Sequence, residues 1–337
     1  MQGVRFVTAL GIRPGDLAQI ALAWGNVKDR NTPLANVLIS PLFADPASIQ
    51  MIRRLKEQGA VNTVYFDSGG YQVQKGRIDY NTLYNRLLQY YEANDWADYY
   101  VMPDFPPVSG DSDSIVQEKV RITVDGTKRF FYDLPSTLRS RALAVVQGRR
   151  VEQVKFCLVN YHDDLGISYV GFGSFPTNGA QSSINHLDAG AAEMLACIRR
   201  QYPSVRIHAF GVGNPPVAYI LNHMGIHSFD SSGWIKAAAY GNIYFPFTRA
   251  YNITYRRIEP GRGALDAESF ERIKTLTGHS CPYCSDFYEL SRNRTSRFLH
   301  NLICMMETVE DISAPLASEV ISHWAPAYKR FLTGRAL

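Results

Sequence analysis

Residues 63–70, TVYFDSGG, pass from a run of β-branched and aromatic residues into the polar turn Asp67, Ser68, Gly69, Gly70, the composition of a short buried strand that stops at a functional-looking end. The same arrangement recurs along the chain. PDFPP at 103–107, VQG at 146–148, GFGS at 171–174, FGVGNP at 210–215 and FDSS at 229–232 each close a short apolar run. Eight such runs predict strands at 4–9, 36–40, 63–67, 99–103, 142–147, 167–172, 206–211 and 227–230. Between them lie amphipathic segments such as 45–59, DPASIQMIRRLKEQG, with Ile49, Ile52 and Leu55 on one face and Arg53, Arg54 and Lys56 elsewhere. Eight strand-plus-helix units over ~240 residues predict an α/β (β/α)8 TIM barrel. An open doubly wound sheet is the competing architecture. The barrel is favoured because it gathers all the polar strand ends at one mouth, whereas an open sheet would string them along a line.

The chain of 337 residues, 46% of them hydrophobic, is long enough for one barrel or two ordinary domains. The expected division is a barrel core over 1–250 and a metal-binding subdomain with closing helices over 251–337. Residues 106–119, PPVSGDSDSIVQEK, read as a long loop near the mouth. No run of about 18 apolar residues is present, and the N-terminus lacks a basic start followed by an apolar stretch, so a soluble, cytoplasmic protein without membrane partners is expected. A formal charge of +4 is compatible with a polyanionic partner without demanding one.

Five cysteines in a chain of this length do not make a disulfide framework. Two of them form the CxxC of HSCPYC, and His300 follows in a helix-like run, so that His279, Cys281, Cys284 and His300 could hold Zn2+ in a closed tetrahedron of structural type. A buried CxxC with two unrelated histidines and a redox dithiol are the competing readings.

In this order and context, FDSGGYQV at 66–73, VVQG at 145–148, FGVGNP, FDSS and the terminal Cys/His segment resemble the tRNA-guanine transglycosylase superfamily over roughly residues 60–305. The pattern departs at His279, which stands where the superfamily has the first cysteine of its zinc segment, and at GFGS, which replaces a glycine pair. The resemblance implies a base exchange. Asp230 would attack the sugar C1′, as carboxylates do at oxocarbenium-like centres, and Asp67 would act as general base toward the incoming heterocycle. It further implies that Asp104, Gln147 and the backbone N–H of Gly171 recognise the base, that Ser68, Gly69 and Gly70 lie beside it, and that Tyr71 and Phe210 stack above and below it. Each aspartate could instead be a turn or cap residue, and each aromatic could be core packing.

Arg292, Arg294 and Arg297 would meet the nucleic acid, with Arg149, Arg150, Arg256, Arg257 and Arg262 as further basic groups; a solvated charged face is the plainer reading of such a cluster. The compact form of the chain and FDSSGW at 229–234 are most similar to the branch that replaces guanine in DNA with a 7-deazaguanine. That implies DNA as the favoured partner, with the free 7-deazaguanine base as second substrate. If the substrate is duplex, the guanine must be extruded, and the 109–114 loop with the arginines would hold the opened strands. A tRNA substrate remains the first alternative, a catalytically silent nucleic-acid-binding module the second, and a zinc hydrolase the third. A second copy of the chain or an accessory protein also stays open as a partner.

Overall fold

The computed structural model describes residues 3–11, 13–25, 32–178, 184–256, 263–312, 317–324 and 326. Arg257, Arg262 and much of the segment beyond residue 312 therefore lie outside the described residues. Eight parallel strands close into a barrel: β1 (Arg5–Ala9), β2 (Asn36–Ile39), β3 (Thr63–Phe66), β4 (Tyr99–Val101), β5 (Ala142–Val146), β6 (Tyr169–Phe172), β7 (Arg206–Ala209) and β8 (Ser228–Ser231). Around the ring they stand in sequence order, and β8 pairs with β1 through Phe6↔Phe229 and Val7↔Asp230. The open-sheet alternative is thereby excluded.

Side chains on a strand alternate between two faces, so closure divides each strand into an inward and an outward row. The outward residues, among them Phe66, Val146, Phe172 and Ile207, join the larger core beneath the helices. The inward residues Val7, Ala9, Leu38, Tyr65, Val101, Leu143, Val145 and Tyr169 form a second, separate cluster that fills the barrel. Continuing the inward rows one step toward the strand ends reaches Ser40, Asp67, Gln147, Phe210 and Asp230, the last two following the buried polar residues His208 and Ser228. The polar mouth is thus the top layer of the packed interior.

The segment 106–119 departs from expectation. Ser112 caps a helix over Asp113–Asp133 by accepting from Ile115 N, because Ser-Asp-Ser followed by an apolar-periodic run is a helix start as well as a loop composition. The preceding residues are held down by Arg149, which donates to the carbonyls of Val108 and Asp111, by Lys119, 2.7 Å from Asp111, and by Arg150 paired with Asp113. Arg149 and Arg150, both exposed, tie this strap to the end of β5.

The helix Arg294–Glu310 completes the outer ring. Arg294 meets Asp16, in the first turn of the Pro14–Gly25 helix that follows β1, and the far end approaches Gly3 at the entry to β1. The helix therefore runs from mouth to floor, and residues 263–293 lie in the chain between β8 and this eighth helix. No helix among the described residues is long and apolar enough to cross a membrane.

Leu143 is fully buried in the barrel interior. Leu143→Ala is expected to lower the unfolding free energy by about 2–5 kcal/mol, read from urea denaturation followed by circular dichroism; a change below about 0.5 kcal/mol would mean that the interior is not packed as described.

Candidate active site and metal centre

Two carboxylates face the mouth. Asp67 follows β3, and its carboxylate accepts from the Ser40 hydroxyl and from Gly69 N at 3.2 Å. Burial pushes its carboxyl above the usual range; the Ser40 donor opposes this, and the nearby charge of Asp230 adds to it. Asp230, on β8, is 4% exposed, and its Oδ1 accepts from Gly211 N at 2.8 Å and meets His208 Nε2 at 3.1 Å. The two residues stand three strands apart around the ring and sense one another electrostatically.

Between them a buried polar chain lines the wall. The Ser68 hydroxyl donates to Asp104 Oδ1 at 2.9 Å, and Gln147 Nε2 donates to Asp104 Oδ2 at 2.6 Å. Gln147 Oε1 accepts from Ser174 Oγ at 2.6 Å, and Ser174 accepts from Gly148 N at 2.7 Å. Burial pushes the Asp104 carboxyl up to about 7, with Ser68 pulling it down, Asp67 pushing it further up and Gln147 again lowering it. Gly70 explains the close approach, since a Cβ there would lie 2.1 Å from Asp104 Oδ1. The chain holds a carboxylate and an amide side by side, an acceptor and a donor for one edge of a purine-like ring.

The aromatic residues take different positions. Tyr71, after β3, is 45% exposed at the rim. Phe210, at the end of β7, is half-buried with its ring edge-on to His208 at 4.6 Å between centroids. Strands β3 and β7 are diametrically opposite in the ring of eight, so the two aromatics flank the mouth from opposite sides. Gly171 does not fill the role expected of it. It lies within β6, in register with Val145 on one side and His208 on the other, so its N–H belongs to the sheet. Its bare Cα makes room for Phe210, whose Cε2 would be 1.9 Å from a Cβ.

Sequence reading did not single out Ser40, Ser174 or His208. Ser174 was present in GFGS, and Ser40 follows from the inward parity of β2. His208 was submerged in RIHAF, where an alternating strand hides one imidazole among apolar neighbours. It is fully buried, with Nδ1 2.7 Å from Ser228 Oγ; Ser228 Oγ is 2.6 Å from the Tyr169 hydroxyl, which is 2.9 Å from that of Tyr65. Burial raises both phenols above their ordinary range, so both stay protonated donors.

The arginines divide. Arg297 is buried and donates to the carbonyls of Ala238, Leu290 and Ser291, so it is a structural tie and not a phosphate contact. Arg294 pairs with Asp16 at 3.3 Å while remaining half-exposed, and Arg292 is exposed.

His279, Cys281, Cys284 and His300 converge, their ligand atoms all within 4.8 Å of one another and all four residues buried. His279 Nε2 and His300 Nδ1 are 3.3 Å apart, which matches the edge of about 3.3 Å of a tetrahedron with Zn–N bonds of about 2.0–2.1 Å. The remaining ring nitrogens are engaged. His279 Nδ1 meets Glu307 Oε2 at 2.5 Å, and His300 Nε2 donates to Tyr244 O at 2.8 Å. In the neutral imidazoles these contacts take up the ring proton on the outer nitrogen, so the converging nitrogens could offer lone pairs to a metal ion. Cys281 N–H lies 3.3 Å from Cys284 Sγ, a donor suited to a thiolate. The set fits a metal ion, and four protein ligands leave no open position for chemistry.

Compared with known proteins, the chain matches no family model and no curated protein.

Removing the Glu307 carboxylate by Glu307→Ala is expected to weaken zinc binding about 10- to 100-fold, measured by competition with a chromophoric chelator; unchanged affinity would show that the His279 contact does not set the ligand's tautomer.

Proposed function

We propose that the protein is a base-exchange transglycosylase that replaces guanine in a nucleic acid, with DNA favoured over tRNA, by a 7-deazaguanine. The observation that carries this reading is the pair Asp67 and Asp230 at one mouth, with the Ser68–Asp104–Gln147–Ser174 chain beside them. Asp104 accepts from N1–H and the 2-amino group of a guanine-type base, and the second N–H of the Gln147 amide donates to O6. Tyr71 and Phe210 cover its faces.

In the first half-reaction an Asp230 carboxylate oxygen bonds to C1′ as the C1′–N9 bond breaks, and guanine departs with that electron pair and a proton from Asp67. In the second, Asp67 takes the N9 proton of the incoming base, N9 bonds to C1′, and the ester bond to Asp230 breaks to regenerate the carboxylate. Two inversions return the original configuration. Zinc, held by His279, Cys281, Cys284 and His300, would fix the inserted segment against the barrel. Arg292 and Arg294, on the mouth side, and the exposed Arg256 are candidates for phosphate contact.

Radiolabelled guanine is expected to enter duplex DNA with the wild-type protein and at least 1,000-fold more slowly, to order of magnitude, with Asp230→Ala. Entry into tRNA alone would keep the chemistry and change the substrate, whereas entry into neither would sink the reading.

Asp104 must be ionised to accept from both guanine donors. Since its carboxyl titrates at about 7, guanine is expected to bind more tightly as pH rises from 6 to 8. In Asp104→Asn that dependence should vanish; calorimetric titration showing the same slope in both proteins would contradict it.

A further inference from the structure

We infer that His208 is a positioning residue that selects which oxygen of Asp230 reacts and makes that carboxylate a competent leaving group. The inference rests on the proposed transglycosylase reading and adds to it a residue that nothing else assigns. Oδ1 of Asp230 has two partners, Gly211 N–H at 2.8 Å and His208 Nε2 at 3.1 Å. Two donors on Oδ1 orient the carboxylate and direct Oδ2 to C1′. A carboxylate oxygen only accepts, so Nε2 of His208 carries the proton in this contact. Behind it, Ser228 Oγ at 2.7 Å addresses Nδ1, Tyr169 OH reaches Ser228 at 2.6 Å, and Tyr65 OH reaches Tyr169 at 2.9 Å. Hydroxyls donating in turn from Tyr65 through Tyr169 and Ser228 to Nδ1 fix this tautomer and polarise the imidazole toward Asp230.

The geometry also prevents His208 from drifting. Its ring stacks on Tyr65, 5.2 Å between centroids and 28° between planes, and it is fully buried. An imidazole at a strand's inward position, inside a barrel packed mainly with Leu, Val and Tyr, carries a desolvation penalty unless both nitrogens are satisfied. Here both are satisfied, and one is aimed at the carboxylate.

The chemical consequence is asymmetric. When the Asp230 ester forms, negative charge leaves the carboxylate and the two donors on Oδ1 lose a strong acceptor. When the ester breaks, the charge returns and the donors stabilise it. Without the His208 donor, the carboxylate becomes a more basic nucleophile and a poorer leaving group. The glycosyl-enzyme should therefore persist longer relative to turnover. A residue that merely packed the barrel would change stability and turnover without shifting that balance.

The test compares wild type, His208→Phe and His208→Gln in guanine exchange on DNA or tRNA, whichever the wild type uses. Exchange rate and the fraction of protein carrying nucleic acid on a denaturing gel are both read, with melting temperature checking the fold. His208→Phe keeps the ring and removes the donor; its exchange should fall about 10- to 100-fold while the covalent fraction rises. His208→Gln, whose amide can donate to Oδ1, should recover much of the rate and the wild-type covalent fraction. Should His208→Phe fail to fold, Tyr169→Phe, which removes only the hydroxyl behind Ser228, should shift the covalent fraction in the same direction by a smaller amount. Wild-type exchange with an unaltered rate and covalent fraction in the folded variants overturns the role of His208 and leaves the transglycosylase reading intact. Absence of exchange and adduct in the wild type overturns both.

Discussion

Closure of the eight-stranded sheet is the constraint on which everything else depends. Once β8 pairs with β1, alternate residues of every strand must enter a space with no solvent, and only a complete set of inward side chains can fill it. Leu143, Val145, Tyr65 and Val101 do so in the lower layers. The last inward position on each strand lies where the interior meets water, and there the sequence places Ser40, Asp67, Gln147 and Asp230. The placement of these four groups follows from parity and from the ring order of the strands, whereas Ser68, Asp104 and Ser174 are brought in by the turns that follow β3, β4 and β6.

That placement has an electrostatic consequence. Several carboxyls share a partly desolvated mouth, so each is shaped by what donates to it. Asp104 is held between Ser68 and Gln147, Asp67 has Ser40 and Gly69, and Asp230 has Gly211 and His208. Burial raises Asp67 and Asp104, and the charges of neighbouring carboxylates raise them further. On the proposed reading this differentiation lets Asp67 handle protons while Asp230 handles the sugar. The inserted segment meets a different need. Its Phe270, Ile273, Phe287 and Leu290 join the main core, and its His279, Cys281 and Cys284 meet His300 of the following helix, with Phe245 set edge-on against both imidazoles at 5.9 Å between centroids.

Much of this was legible in the sequence because barrels write their mouths in short polar punctuation after apolar runs. FDSGG, VQG and FDSS announced Asp67, Gln147 and Asp230, and HSCPYC with His300 announced the buried cluster that could hold a metal ion. Four features were not legible, each for a physical reason. His208 sits within a strand, where its alternation looks the same as that of an apolar residue. Gly171 stood in a motif whose backbone donor is taken by the sheet, which no spacing reveals. Arg297 belonged to an arginine series that looks solvated, yet carbonyl groups at Ala238, Leu290 and Ser291 bury it. The start of the Asp113–Asp133 helix was masked because a capping Ser-Asp-Ser reads equally well as loop.

The central claim is the division of labour between the two carboxylates, and the most direct measurement is to locate the covalent bond. The protein is mixed with a guanine-containing substrate, quenched in denaturant, digested, and mapped by mass spectrometry. The account predicts a glycosyl mass increment on the peptide containing Asp230 and an unmodified peptide containing Asp67. An increment on Asp67, or continued base exchange with no covalent species at either position, would contradict it.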